Sequence, residues 1–248
     1  MTSVLDIALD RLSLDDLQEA DKDDTYQCEL SELMTGFESD KGAGLSQGWK
    51  SEQKRPPNGV CHNYTFFYDR LFSEFRSHKL TIFEMGVGVP QCMASWAGSL
   101  RGWKEYFPDA SIFAADIDRE WLYQGEGIQS FYCDQEDPES IQEMWTVVPA
   151  DKFDIIIDDG PHTYKSNYLF YTESIHKLLN NGVFIIEDVS LDFLDELVHN
   201  IQEFNQQNNI HTDLRVLRIP YPSGFTHPSE SILKMNNLII LVKKDDSE

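Results

Sequence analysis

Two short apolar runs, each closed by a pair of carboxylates, constrain this chain more than anything else in it: KFDIIIDDGPH over Lys152–His162 and GVFIIEDV over Gly182–Val189. Phe153 to Ile157 is too short for a helix. Three consecutive isoleucines leave it no polar face, so it reads as a strand buried on both sides, as in a parallel sheet. Val183 to Ile186 repeats the pattern. Between them, Tyr164 to Leu179 has helical spacing (Tyr168, Phe170, Tyr171, Ile175, Leu178, Leu179), with Asn181-Gly182 as its stop. Strand, helix and strand in that order form a βαβ unit. Both strands then run the same way, and Asp158, Asp159, Glu187 and Asp188 emerge together at the carboxyl edge, where open α/β sheets bind ligands.

Carboxylates crowded at one edge are costly unless a cation or hydrogen-bond donors compensate. A hard divalent cation held by Asp159, Glu187 and Asp188 is the economical solution, and oxygen-only ligands favour Mg²⁺, Mn²⁺ or Ca²⁺ over zinc. His162 follows Asp159 across a Gly-Pro turn and is placed to act as a base beside that ion. One acidic pair alone would read as solvated strand-end residues; two pairs with a histidine favour a site. Asp158 points to the opposite face from Asp159 and suits a structural role.

The remaining sequence supports one large α/β domain with an elaborated N-terminus. Residues 1–63 read as an acidic extension and loop, and 64–248 as the main domain. Within 1–34, Val4, Leu5, Ala8 and Leu9 mark a helical stripe, and Ser13 with Asp16 resembles a helix start before Leu17. Such an extension packs on the domain or pairs two subunits into a homo-oligomer. Residues 35–63 are rich in Gly, Ser, Lys and Pro and read as a long, lid-like loop. Tyr64 to Phe75 then forms a helix.

LTIFEM (Leu80–Met85) is a further buried strand, and Gly86-Val87-Gly88 turns it into a helix from about Gln91 to Tyr106. Small residues there let backbone approach a nucleotide-type ligand. Asp116 ends the next strand (Ser111–Ala115), in the position that commonly holds a ribose diol. A third strand, Ile128–Cys133, ends in Asp134, which suits an adenine amino group, and in Gln135, which is either beside it or a turn residue. Pro138–Trp145 and Leu191–Phe204 are helices. Leu214–Ile219 and Leu238–Val242 close the domain as strands, separated by a Pro/Gly/Ser loop.

A net charge of −23 argues against a nucleic-acid backbone or an anionic membrane as partner. No apolar run approaches the roughly 18 residues of a membrane span. The four cysteines form no CxxC pair, and the N-terminus lacks the basic-then-apolar pattern of a signal peptide, so a reducing, cytoplasmic setting is expected.

EMGVG, AADID, CDQ, IIIDDGPH and GVFIIEDV together resemble a class I S-adenosylmethionine-dependent methyltransferase. More narrowly, SDKG and HNYTFFYDRLF upstream, with DDGxH and ED downstream, are similar to the metal-dependent macrocin and mycinamicin sugar O-methyltransferases, over roughly residues 39–189. The resemblance implies a Rossmann-like, mostly parallel sheet of seven strands, the last two an antiparallel hairpin, with helices on both faces. It implies that Asp159, Glu187 and Asp188 hold Mg²⁺ (or Mn²⁺) and that His162 is the base. Glu84, Gly86 and Gly88 would line S-adenosylmethionine, Asp116 its ribose, and Asp134 and Gln135 its adenine. Lys41 and the His62–Tyr64 segment would lie near cofactor or substrate. Pro90 stands where a third glycine is usual, and Pro161 where serine is frequent.

The implied reaction is methyl transfer to a hydroxyl of a sugar or other small natural product. Alternatives are a phenol, catechol or carboxylate acceptor, a nicotinamide-dependent oxidoreductase, which leaves the DDGxH and ED acids without a task, and a non-enzymatic binding module.

Overall fold

The isoleucine run becomes the middle of the sheet. The computed structural model describes residues 1–13, 28–42, 62–88, 96–125, 127–219 and 230–245. Its strands are β1 (Thr81–Met85), β2 (Ser111–Asp116), β3 (Gln124–Gly125), β4 (Ile128–Tyr132), β5 (Phe153–Asp158), β6 (Leu178–Ile186), β7 (Thr212–Arg218) and β8 (Asn237–Lys243). They lie in the order β3-β4-β2-β1-β5-β6-β8-β7. From β4 to β6 all neighbours are parallel, while β8 runs antiparallel to both β6 and β7. The expected parallel sheet with a closing hairpin is present. It has eight strands rather than seven, because the two-residue β3 adds itself antiparallel to β4 at the edge.

Alternation explains why the central strands lack a polar face. In β5, Ile155 and Ile157 enter one core and Ile156 the other, while the irregularity between Phe153 and Ile155 puts Phe153 on the side of Ile156. β6 does the same with Val183 and Ile185 against Phe184 and Ile186. Helices Glu29–Gly36, Tyr64–Phe72 and Gly98–Tyr106 bring Met34, Tyr68 and Trp103 to the first core. Helices Pro138–Val147, Tyr164–Ser174 and Leu194–Gln207 bring Trp145, Phe170 and Leu197 to the second.

Several expectations need correction. The helix begun at Tyr164 ends at Ser174, a 3-10 turn covers Ile175–Lys177, and Leu178 already belongs to β6. Leu178 pairs with Phe153 before the register shifts, so strand pairing overrides the helical spacing that had included Leu178 and Leu179. The first residues are not helical. Ser3, Leu5 and Ile7 are buried while Val4 and Asp6 are exposed, which is a strand period. Thr2 bridges Asn180, and Ser3 Oγ donates to Asp154 Oδ1 at 2.6 Å, tying this strap to the sheet. Among the described residues of the extension, a 3-10 turn covers Leu9–Arg11 and an α-helix covers Glu29–Gly36. The expected helix start at Ser13–Leu17, most of the 35–63 loop, Pro90 with the start of the Gln91 helix, and the Pro220–Pro228 loop include or fall among residues outside those described. Among the described residues no helix is long and apolar enough to cross a membrane.

Candidate active site at the carboxyl edge

Parallel strands deliver their last residues to one edge, and a cavity of about 780 Å³ opens there. Gly86, Gly88, Asp116, Asp134, Gln135, Asp159, His162 and Asp188 line it. Lys41, Tyr64, Glu84 and Glu187, expected to touch cofactor or metal, lie behind that lining and are buried.

The glycine turn is fixed by sterics. Gly86 has φ +97°, and a Cβ on it would stand 2.1 Å from the backbone oxygen of Asp159. Only glycine fits, because the β1 turn presses directly on the β5 turn. At Gly88, among the described residues, a Cβ would meet nothing nearer than the Trp96 Cα at 4.0 Å. Asp116 ties this loop to β2: Oδ2 accepts from the Val87 N–H and Oδ1 from the Asp118 N–H, each at 2.9 Å. Asp134 likewise accepts from the Glu136 N–H at 2.9 Å. Gln135 behaves differently. Its Nε2 donates to Asp158 Oδ1 at 2.7 Å and to the Ser166 carbonyl at 3.2 Å, so its amide nitrogen supports the neighbouring turn.

Asp158 and Asp159 separate as strand alternation requires. Asp158 is fully buried and accepts from Gln135 and from Asn167 Nδ2 at 2.9 Å. Burial raises its carboxyl above the usual range despite those bonds. Asp159 turns to the cavity floor, where one ligand atom each of Asp159, His162 and Asp188 lie within 4.8 Å of one another. His162 Nε2 is 3.8 Å from Asp159 Oδ1 and 3.7 Å from Asp188 Oδ2. Its Nδ1 is buried without a protein partner among the described residues. His162 and Asp188 both adopt left-handed backbone, with φ 57° and 52°, a conformation that costs energy for non-glycine residues and concentrates at functional sites.

Behind this trio sits a buried charge cluster. Glu187 accepts from Lys41 Nζ at 2.6 Å through one oxygen and from the Tyr68 hydroxyl at 2.5 Å through the other, so it stands apart from Asp159 and Asp188. Lys41, 1% exposed, also donates to Asp159 Oδ2 and lies 3.7 Å from Glu84. Burial pulls the Lys41 ammonium down, but Asp159, Glu187 and Glu84 together carry it well above its ordinary value. Glu84 is held by Ser99 Oγ and by Trp103 Nε1 at 2.6 Å. Burial raises Glu84, Asp159 and Glu187, outweighing the pull of Lys41. Asp188 is the exception: burial opposes its ionisation, but His62 and His162 hold it below the usual range. His62 Nδ1 lies 3.2 Å from Asp188 Oδ1, which also accepts from the Tyr64 hydroxyl, and Tyr64 stacks on His62.

Four carboxylates thus face one lysine and two histidines. That imbalance, with acids that offer only oxygen ligands, fits a hard divalent cation. Tyr68, Ser99, Trp103 and Asn167 had not been singled out as site residues. Their only sequence signal is that a buried tyrosine hydroxyl or tryptophan N–H needs a polar partner.

No protein-family model matches the chain. An 8-demethyl-8-alpha-L-rhamnosyl tetracenomycin-C 2'-O-methyltransferase of Streptomyces olivaceus is 30% identical over 132 residues, covering 53% of this chain and 34% of its own length. A demethylmacrocin O-methyltransferase of Streptomyces fradiae is 31% identical over 134 residues, 54% of this chain and 33% of its own. The alignments therefore span about a third of these curated relatives. Among solved structures, MycE methyltransferase from the mycinamycin biosynthetic pathway, in complex with Mg, SAH and mycinamycin VI, superposes with a TM-score of 0.64 at 24% identity. It covers 90% of this chain and 56% of that one. The chain therefore has the fold of the class I S-adenosylmethionine-dependent methyltransferases and, over about half its length, resembles their sugar O-methyltransferases.

Proposed function

We propose that the protein is a metal-dependent O-methyltransferase that moves a methyl group from S-adenosylmethionine to a hydroxyl of a sugar or other small natural product. The observation that carries this is the shared cavity: Gly86, Gly88 and Asp116 line the same space as Asp159, His162 and Asp188. The names of the relatives, all O-methyltransferases of glycosylated natural products, support the same acceptor class.

Gly86 and Gly88 give the backbone its close approach to the cofactor, Asp116 orients the ribose, and Asp134 meets the adenine. Asp159 and Asp188 hold Mg²⁺ or Mn²⁺, with Glu187 as third carboxylate. When bound, the cation acts as a Lewis acid on the acceptor hydroxyl, and the sulfonium supplies the methyl. His162 takes the hydroxyl proton at Nε2, the nitrogen directed between Asp159 and Asp188. Lys41 and Tyr64 act at one remove, holding Asp159 and Asp188 in place.

In the same proposal, residues 1–63 are an extension with a lid-like loop and 64–248 carry the catalysis. Burial of Leu5, Ile7 and Leu12 in the chain's own core favours an extension packed on its domain over pairing of subunits. Sedimentation tests the alternative, a homo-oligomer through the N-terminus. Free Cys28 and Cys133 suit the cytoplasm.

The test is transfer of labelled methyl from S-adenosylmethionine to a panel of glycosides and catechols, with Mg²⁺ and then with EDTA. EDTA-sensitive labelling of a glycoside is the expected result. Transfer that is indifferent to EDTA would remove the metal from the proposal, and labelling of catechols alone would change the acceptor class.

A further inference from the structure

Every described polar contact of the Glu187 carboxylate is already made inside the protein. Oε2 accepts from Lys41 Nζ at 2.6 Å and Oε1 from the Tyr68 hydroxyl at 2.5 Å. The same ammonium donates to Asp159 Oδ2. Magnesium–oxygen bonds are about 2.0–2.1 Å long. An ion that takes Asp159 Oδ2 and Glu187 Oε2 as ligands needs the same two oxygens that the Lys41 ammonium already engages, so the two cations compete for them. We propose that Lys41 is a built-in cation that competes with the divalent ion for the Asp159–Glu187 pair, so that completing a three-carboxylate metal site expels its ammonium. This rests on the metal-dependent reading above.

The surroundings suit an exchange of cations. Lys41 compensates Glu84 and Glu187, which are 0% and 1% exposed and have no other cation as close among the described contacts. Its backbone is anchored, the carbonyl accepting from the Thr65 N–H at 3.2 Å and the N–H donating to Ser39 Oγ at 3.4 Å. Movement is thereby assigned to the flexible four-carbon stem. Asp188 keeps Tyr64 and His62 in either state, and Asp159 Oδ1 and Asp188 Oδ2 form the open half of the metal site. Lys41 thus stabilises the metal-free fold and weakens the apparent metal affinity.

The experiment combines two readouts on the full chain. Amine acylation followed by mass spectrometry measures the reactivity of Lys41 in EDTA and in saturating Mg²⁺. Calorimetry measures Mn²⁺ affinity for the wild type and for Lys41→Met. The expected results are Lys41 labelling that rises at least about fivefold with Mg²⁺, and Mn²⁺ binding about tenfold tighter in Lys41→Met. Ion binding to the wild type with Lys41 still protected overturns the proposal while leaving the metal-dependent reading intact. Ion binding by Lys41→Met alone supports it. No ion binding by either protein overturns both. If Lys41→Met does not fold, the wild-type labelling decides.

Discussion

The two halves of the sheet's carboxyl edge treat their acids differently. At the ends of β2 and β4, Asp116 and Asp134 accept from backbone N–H groups, Asp116 from its own turn and from the neighbouring glycine turn, Asp134 from its own, and both keep access to the cavity. At the ends of β5 and β6, Asp159, Glu187 and Asp188 meet lysine, tyrosine and histidine side chains brought in from residues 41 to 68, with His162 closing the group. The first half satisfies its acids with backbone N–H groups alone. The second holds an excess of buried negative charge that its own cations only partly relieve, and this makes it a place for an exchangeable cation. Gly86 joins the halves, since its turn rests against the Asp159 carbonyl.

The largest effect is expected for His162→Ala: turnover falls by about 10²–10⁴-fold while S-adenosylhomocysteine still binds by calorimetry. Turnover near wild type would remove His162 as the base. Asp159→Ala should lower Mn²⁺ affinity by about 100-fold or more and leave cofactor affinity nearly intact, because only the metal half is touched. Gly86→Ala should be different in kind. The clash at 2.1 Å and the φ of +97° fall on both halves at once. A loss of roughly 2–4 kcal/mol in urea unfolding, with weaker binding of both cofactor and metal, is expected. If only cofactor binding suffers, the halves are less coupled than their contact indicates. Asp116→Asn should weaken S-adenosylhomocysteine by about tenfold and leave Mn²⁺ binding unchanged.

The smallest effect is on stability with pH. Burial raises Glu84, Asp158, Asp159 and Glu187 above ordinary values of 3.8 to 4.5. Between those values and the folded ones, the native state binds more protons than the unfolded chain, so stability in EDTA should increase as pH falls from 7 toward 5. Asp188, held below 3.8, works the other way only under that value, outside this window. Urea midpoints at pH 7 and 5 check the sign. Glu187→Gln should reduce the gain, and an undiminished gain in that variant would assign it to general relief of the −23 charge.

Much of this edge was legible from the sequence. Short apolar runs ending in DDGPH and EDV had to be parallel strands, and parallel strands place their ends together. The glycine turn and Asp116 followed from the same pattern. What local pattern could not show was pairing across the molecule. Lys41 belongs to an irregular segment, and nothing near it in sequence announces that its ammonium ends between acids at positions 159 and 187. Tyr68 reads as one more aromatic of a core helix until its hydroxyl meets Glu187. The first nine residues mixed two periods. Val4, Leu5, Ala8 and Leu9 suggested a helix, while the alternation of Ser3, Leu5 and Ile7, the pattern that is buried, belonged to a strap tied down by Asp154 and Asn180. Leu178 and Leu179 fitted the helix spacing equally well, and pairing with β5 decided for the strand.

A single cavity is assigned both the cofactor and the cation. Calorimetric titration of the wild-type chain with S-adenosylhomocysteine, first with Mg²⁺ and then with EDTA, tests it most directly. Micromolar binding, accompanied by a separate Mg²⁺ isotherm that Asp159→Ala abolishes, is the predicted result. No binding of S-adenosylhomocysteine under either condition would contradict it.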